Sequence, residues 1–126
     1  MANELTVQTA LYWVSSTVTG LSLNRALAKS VTVTGTDKAD FTVDVTTTAG
    51  AIALPANIGT PGYALFQNLD PTNYIELGPD AAGTFKPFVK LKPGEVGLFR
   101  IGIAANAIHA KANTATCKLG VSMVED

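Results

Sequence analysis

The chain has 126 residues, a formal net charge of −1 and a charged-residue content of 15%, whereas globular domains usually contain about 25% charged residues. This length predicts a single domain, residues 1–126, which can bury one core without covalent cross-links. The balanced charge disfavours recruitment of nucleic acid or an anionic membrane by a long-range field, and a lone cysteine, Cys117, excludes an intrachain disulfide.

Alternation of apolar and polar residues with a period of two dominates the first half of the chain and predicts strands with one buried face. The apolar positions that share a parity are Leu5, Val7, Leu11 and Trp13, then Val31 and Val33, then Phe41, Val43 and Val45. Residues 21–30 form the one stretch with a plausible helical composition. The first half is therefore predicted to be strands with, at most, one short helix.

The second half continues the strand pattern in shorter runs. Strands are predicted at residues 51–54, 63–69, 74–77, 85–92, 96–103 and 117–123. Residues 104–115 are rich in Ala and Asn and are predicted to be an irregular link. About eight to nine strands in one domain indicate an all-β protein.

Gly, Pro and Asx turns separate these runs. Asp70-Pro71-Thr72-Asn73 is predicted to close a hairpin, with Pro71 setting the backbone angle and Asp70 and Asn73 capping N–H groups. Gly78-Pro79-Asp80 is predicted to be a second turn. In Lys92-Pro93-Gly94-Glu95, Pro93 and Gly94 fit the central positions of a type II turn.

The strand number and turn spacing favour a jelly-roll-like antiparallel β-sandwich of two sheets and about eight strands. An immunoglobulin-like sandwich is the alternative, although the Cys…Trp…Cys framework of antibody-type domains is missing from the sequence.

Candidate chemical residues are few. His109 is the only histidine, and its sequence neighbours offer neither a metal ligand nor a nucleophile motif. Cys117 has the apolar parity of the last strand and is predicted to be a core residue. Asp37, Asp40 and Asp44 do not match a calcium-loop pattern and are interpreted as solvated turn acids.

Two side-chain groups allow a binding function to be considered. Lys86, Lys90 and Lys92 form a predicted stripe, which we interpret as protection of an exposed strand edge rather than as a nucleic-acid site. Tyr12, Trp13, Tyr63 and Tyr74 could stack on sugars, so a carbohydrate-binding module is the alternative from another functional class. We assign no catalytic, cofactor-binding or metal-binding residue, and expect the protein not to be an enzyme.

The composition indicates a protein-binding surface. The chain contains 16 Thr and 18 Ala residues. The free-energy cost of desolvation is smaller for surfaces rich in Thr and Ala than for surfaces rich in Lys and Glu. Thr also favours half-buried strand positions, which suits a β protein.

Residues 62–126 contain a recognisable series of motifs: FQNLDPTNY at 66–74, LKPGE at 91–95 before the Phe99-Arg100 pair, and AKANTA at 110–115 before a final strand ending in acidic residues. From Gly62 to Asp126 the sequence resembles small β-sandwich structural proteins of tailed bacteriophages. The resemblance implies a virion component. The location that we favour is the capsid surface, where it would be a decoration (cement) subunit; a head–tail connector or tail structural subunit is the alternative.

The favoured interpretation as a decoration subunit, together with the balanced charge, sets the partners that we expect. We expect self-association, with a trimer favoured, together with contacts to the major capsid protein or other virion proteins, and no nucleic-acid or membrane partner. The start of the sequence lacks a secretory signal pattern, and no apolar run reaches bilayer-spanning length. The expected localisation is the virion, assembled in the host cytoplasm.

Overall fold

The computed structural model describes residues 3–102 and 108–126, and every regular element in this part of the chain is a β-strand. The predicted all-β class is therefore confirmed. The strands are β1 (Asn3–Val14), β2 (Ser22–Val33), β3 (Lys38–Val45), β4 (Gly50–Ala51), β5 (Pro61–Asn68), β6 (Ile75–Ala81), β7 (Thr84–Phe85), β8 (Val89–Leu91), β9 (Val96–Arg100), β10 (Ile108–Ala112) and β11 (Cys117–Glu125).

The chain divides into two compact units, residues 1–34 and residues 35–126. The first contains β1 and β2, and the second contains the other nine strands of the described segments. The single-domain assignment of residues 1–126 stays a prediction.

The first unit is a long antiparallel hairpin. Strands β1 and β2 pair without interruption over twelve positions, from Asn3 opposite Val33 to Val14 opposite Ser22. The Ser15 N–H donates to the Leu21 carbonyl across the connecting loop at 2.9 Å. The possible helix at residues 21–30 is wrong, although Leu, Arg, Ala and Lys all have good helix propensity. Register pairing with β1 outweighs that local preference.

The second unit is a sandwich-like arrangement of two antiparallel sheets. One sheet has the order β3-β11-β5-β9, and the other has the order β4-β10-β6-β7 with β8 also paired to β6. From β3 to β11 the chain crosses between the sheets repeatedly, which is compatible with the predicted jelly roll.

The core lies between these two sheets, and the period-two pattern explains it. In β11, for example, the burial alternates so that Cys117, Leu119, Val121 and Met123 are buried while Lys118 and Ser122 are exposed. The buried cluster also includes Phe66, Ile75, Leu77, Leu91 and Ile108. All members of this cluster belong to residues 35–126, so the sandwich has its own core.

Several predicted boundaries are corrected. Gly78-Pro79-Asp80 is not a turn but the second half of β6. The turn comes later, at Ala82 and Gly83, whose φ angles of 54° and 80° give the two-residue hairpin connection to β7. The predicted strand at 51–54 is reduced to Gly50–Ala51.

The predicted strand at residues 85–92 is also divided. Its two parts are β7 and β8, because Pro87 lacks a backbone N–H and interrupts a continuous ladder. The predicted link at 104–115 contains strand β10, which pairs with β6 over five positions. Residues 103–107, which include the end of the predicted strand 96–103, lie outside the described residues.

The loop after β5 has a different role from the predicted one. Asp70-Pro71-Thr72-Asn73 does not close a hairpin, because β5 belongs to the β3-β11-β5-β9 sheet and β6 to the other sheet. The loop carries the chain from one layer of the sandwich to the other.

Candidate interaction surface

The three motifs that carry the phage resemblance meet around one buried side chain, that of Asn68. It is fully buried, and it is the one buried polar residue among those the structure describes. Its Nδ2 donates to the carbonyls of Asn73 at 2.7 Å and Leu91 at 3.0 Å, while its Oδ1 accepts from the Asp70 N–H at 3.0 Å. One amide thus joins the end of β5, the crossing loop and the end of β8.

Asp70 organises the crossing loop from within. Its Oδ1 accepts from the backbone N–H groups of Thr72 at 2.8 Å and Asn73 at 2.6 Å. These two N–H groups hold the pKa of the Asp70 carboxyl below its usual value. The predicted capping role is confirmed for Asp70.

The third motif closes the same cluster from the connection between β10 and β11. The Tyr74 N–H donates to Asn113 Oδ1 at 3.1 Å, and the Thr114 hydroxyl donates to Asn73 Oδ1. The side-chain oxygen of Asn73 therefore accepts from the Thr114 hydroxyl. The predicted capping of a backbone N–H group by Asn73 is not observed. Since each motif residue in this cluster binds backbone or a neighbouring motif, the motifs serve the fold.

The residues considered as candidates for catalysis or metal binding do not form one cluster. His109 Nε2 lies 3.9 Å from Asp80 Oδ2, on neighbouring strands. Cys117 is a core residue, as predicted, and burial raises the pKa of its thiol. Within residues 3–102 and 108–126, no three His, Cys, Asp or Glu side chains gather in a way that could hold a metal ion.

The three weighed aspartates are arranged along a strand rather than around a turn. Asp37 precedes β3, whereas Asp40 and Asp44 lie within it, so the interpretation of these two as turn acids is wrong. Asp40 accepts a hydrogen bond from the Ser122 hydroxyl at 2.7 Å, and Asp44 pairs with Lys118 at 2.7 Å.

The predicted lysine stripe is interrupted because its predicted strand, residues 85–92, is divided into β7 and β8. Lys90 lies in β8, an outer strand of its sheet, with its ammonium 4.3 Å from the centre of the Tyr74 ring. Lys86 and Lys92 lie outside β8, so the three lysines do not belong to one continuous strand.

The aromatic side chains that were considered for sugar stacking form a common platform in neither unit. Tyr12 and Trp13 are consecutive in β1 and point to opposite faces of the hairpin. Tyr63 lies in β5 beneath the Arg100 guanidinium, 5.4 Å from its ring centre, whereas Tyr74 precedes β6 in the other sheet.

Most of the large hydrophobic residues that are exposed in the described part of the chain lie on the hairpin and its loop. Eight of the twelve large hydrophobic residues exposed in the described chain lie between residues 11 and 27. Paired residues share a face of an antiparallel ribbon, so the register divides the hairpin into an apolar and a polar face. The apolar one, which we call the hairpin face, consists of Leu5, Val7, Thr9, Leu11, Trp13, Leu23, Arg25, Leu27, Lys29 and Val31.

The tip half of the hairpin face is open to solvent. Leu11, Trp13, Leu23 and Leu27 are between 48% and 61% exposed. The opposite face carries mainly small and polar residues, together with Tyr12 and Val14 near the tip, which are 64% and 76% exposed. In the sequence, the shared parity of Leu5, Val7, Leu11 and Trp13 indicated one apolar side of β1, but the face of two strands exists only when β1 and β2 pair.

A second exposed surface lies on the outside of the β3-β11-β5-β9 sheet. We call it the sheet face; it consists of Lys38, Asp40, Thr42, Asp44, Lys118, Gly120, Ser122, Val124, Tyr63, Leu65, Gln67, Leu69, Val96, Leu98 and Arg100. Leu65, Leu69 and Val96 are exposed on it, and a shallow groove runs over Gly120 between Thr42 and Gln67.

A largely apolar pocket opens between the two sheets of the sandwich, lined by Leu77, Phe88, Phe99 and Ile101 among others. Gly102 is part of its lining, and the next residues, 103–107, lie outside the described part of the chain. We therefore assign no ligand to it.

The described segments contain no helix with the length and hydrophobicity that a bilayer crossing requires. Comparisons of this chain with protein-family models, with curated proteins and with solved structures find no match. The class defined by the fold and its surfaces is an all-β, sandwich-like protein that carries an apolar β-hairpin.

Proposed function

We propose that this chain is a structural subunit of a tailed-bacteriophage virion, and that it decorates the outer surface of the head as a cement protein. The observation that supports the proposal most is the exposed hairpin face. An isolated two-stranded ribbon is marginally stable in water, and contiguous exposed apolar surface marks interaction sites in soluble proteins. A subunit that works through contact area accounts for this surface.

The proposed role is mechanical. Copies of the subunit bridge neighbouring coat proteins, and the apolar area that they bury opposes separation of those proteins. Buried apolar surface contributes about 25 cal/mol per Å², so many weak contacts repeated over a shell give substantial resistance to rupture. The resemblance over Gly62–Asp126 supports the virion context, and the hairpin supplies a contact surface outside the resembling region.

The chemistry of the surface agrees with such a role. The side chains on the hairpin face are mostly aliphatic, and Arg25 and Lys29 are its charged residues. Surfaces of this kind lose little hydration energy when another protein covers them.

The proposal is tested by counting copies in purified phage particles with quantitative mass spectrometry, using the major coat protein as the internal reference. Tens to hundreds of copies per particle are expected for a decoration subunit. About a dozen copies or fewer would instead identify a connector or tail subunit. Absence from intact particles would refute both virion assignments.

A further inference from the structure

We propose that strand β1 of one copy pairs edge to edge, and antiparallel, with β1 of a second copy of this chain. Two hairpins then form one four-stranded sheet with the strand order β2-β1-β1-β2. The pairing follows from the hairpin alone. It also deepens the proposed function, on which it rests only for what the widened sheet contacts in the virion.

The outer edge of β1 carries backbone groups without a partner strand in the described part of the chain, because the ribbon is a two-stranded sheet. The hydrogen bond from the Ser15 N–H to the Leu21 carbonyl continues the register that places Trp13 opposite Leu23. Hydrogen-bonded and non-hydrogen-bonded pairs alternate in an antiparallel ladder, so the odd-numbered residues of β1 bond to β2. The N–H and C=O groups of the even-numbered residues, from Glu4 to Val14, therefore point away from β2.

This edge is open and lacks the usual protection. Every residue from Gln8 to Val14 is exposed. Edge strands usually carry charges, prolines or bulges that prevent further pairing. Residues 5–14 contain neither a charged residue nor a proline, and their register with β2 is uninterrupted. A strand with these properties is a template for another strand.

The edge of β1 is complementary to itself. A two-fold axis beside Thr9 places Gln8 opposite Ala10 of the second copy, and Glu4 opposite Val14. The even-numbered residues from 4 to 14 then form the hydrogen-bonded pairs, in which each residue exchanges two hydrogen bonds with the residue opposite it. The same strand thus supplies both halves of the new ladder.

The apolar side chains match in the same register. Leu5 lies opposite Trp13 of the second copy, Val7 lies opposite Leu11, and the two copies of Thr9 face each other. These are the non-hydrogen-bonded positions, where side chains approach most closely and cross-strand pairs stabilise a sheet. Opposite residues share a face, so the two hairpin faces lie on the same side of the four-stranded sheet.

Charge selects the edge of β1 over the edge of β2. The equivalent pairing of two β2 strands would place Arg25 opposite Lys29 of the second copy, and like charges directly opposite each other destabilise a sheet. In the proposed order the two β2 strands are outermost and about 14 Å apart, three strand spacings. Their cations protect the outer edges from further pairing, so the assembly stops at two copies.

Charge also disfavours a closed ring of three hairpins, in which β1 of each copy would pair with β2 of the next. With the hairpin faces inward, such a ring would enclose Arg25 and Lys29 of every copy. Glu4, the single acidic residue of the hairpin, pairs with Thr32 on the opposite face. Burying cations without a carboxylate is costly. The hairpin therefore favours a dimer over the trimer expected from the sequence.

The widened sheet has the area that a docking surface needs. One hairpin of twelve residue pairs is roughly 40 Å long and about 10 Å wide, so its face covers roughly 400 Å². Two paired hairpins present roughly twice that area, which approaches the roughly 800 Å² per partner of a standard interface. Pairing of copies thus converts a face that is too small into one that another protein can hold.

The test uses two proline variants that differ in which edge loses an N–H group. Ala10 and Ala26 lie opposite each other in the hairpin, and both are exposed. Both belong to a non-hydrogen-bonded pair, so the N–H of each points outward, on opposite edges of the ribbon. Proline is tolerated on an edge strand where the N–H faces solvent. Ala10→Pro removes a donor from the edge of β1, and Ala26→Pro is the matched control on β2.

Sedimentation velocity of the full-length wild type should show a concentration-dependent equilibrium between monomer and dimer. Ala10→Pro should weaken the dimer by roughly tenfold or more, because each copy loses a hydrogen bond to the other. Ala26→Pro should dimerise like the wild type. Far-ultraviolet circular dichroism at a concentration where the wild type is monomeric verifies that both variants keep their strand content.

A cysteine cross-link provides a second measurement that does not depend on proline. The two copies of Thr9 face each other with Cα atoms about 4.5 Å apart, a separation that a disulfide can span. Thr9→Cys should therefore form a disulfide-linked dimer under mild oxidation. Thr6→Cys is the control, because Thr6 lies opposite Tyr12 of the second copy and its own counterpart is about 20 Å away. Cys117 is buried, and the wild type should not cross-link.

The proposal is overturned if the wild type stays monomeric up to about 1 mM, the weak end of measurable affinities, or if it forms a trimer. Equal weakening by Ala10→Pro and Ala26→Pro, or equal cross-linking of Thr9→Cys and Thr6→Cys, would also contradict it. The particle measurement is independent of these outcomes. Dimers in solution without copies in particles would contradict the proposed function alone, whereas copies in particles of a protein that stays monomeric would contradict the pairing alone.

Discussion

Asn68 is the one buried polar residue among those that the structure describes, and its side chain is fully buried. Its amide makes three hydrogen bonds in a site without solvent, to segments up to 23 residues away in sequence. A buried amide is tolerated only when its polar atoms have partners. The conspicuous feature in the sequence is the Asp-Pro turn that follows, yet that turn depends on Asn68 for its attachment to the core.

We expect Asn68→Ala to lower the free energy of unfolding by about 2 to 3 kcal/mol, because the substitution leaves two carbonyls and one N–H group without their buried partner. Urea denaturation at neutral pH measures the change. Gln67→Ala is the matched control, since Gln67 is adjacent, exposed and on the opposite face of β5; its effect should stay within about 0.5 kcal/mol. Equal effects of the two substitutions would contradict the assigned role of Asn68.

Strand β6 contains three residues whose local sequence is typical of a turn. Gly78-Pro79-Asp80 has the composition of a turn, but Pro79 lies opposite Ile108 in the ladder, and the Pro79 carbonyl accepts from the Lys86 N–H at 2.9 Å. Gly78 is required there because the chain at Lys86 and Pro87 crosses directly over it. A Cβ at this position would lie 2.1 Å from the Lys86 carbonyl oxygen.

Gly78→Ala should therefore destabilise the sandwich by about 1 to 3 kcal/mol, the usual cost of forcing extra volume into a packed site. Gly50→Ala provides the comparison, because a Cβ at Gly50 has no described atom within 4 Å. The thermal unfolding midpoints of the two variants are to be compared with that of the wild type. A Gly78→Ala midpoint as high as that of Gly50→Ala would show that the crossing at Lys86 is not tight.

At the scale of the whole molecule, the two units differ in what holds them together. The sandwich unit, residues 35–126, contains the complete buried cluster, including Leu119 and Ile75 at 0% exposure. The hairpin unit consists of two paired strands with an exposed apolar face. The buried core and the proposed contact surface thus belong to different parts of the chain.

This division predicts that the fragment 35–126 folds alone and unfolds cooperatively, because it keeps its whole core. The fragment 1–34 should be largely disordered in isolation, because a single ribbon is marginally stable in water. Circular dichroism and urea titration of the two fragments measure both outcomes. A fragment 35–126 without a cooperative transition would show that the core depends on the hairpin.

The sequence by itself determined the local directions of the side chains. Period-two alternation identified the inward positions of β3 and β11, and it identified Cys117 as a core residue. The Pro93-Gly94 turn was also predictable, since the φ of 76° at Gly94 is the conformation that a type II turn demands of its third residue. These features depend on residues adjacent in the chain, whose backbone geometry is decided locally.

Only the tertiary structure decided which strands pair. It placed β5 and β6 in different sheets, made residues 22–33 a strand, and gathered the hairpin face from β1 and β2. The physical reason is that a strand satisfies its backbone hydrogen bonds on neighbours distant in sequence, such as Leu119 of β11 opposite Val43 of β3. Alternation shows which side of a strand is apolar, but the pairing of strands decides whether that side becomes a core or a surface for another protein.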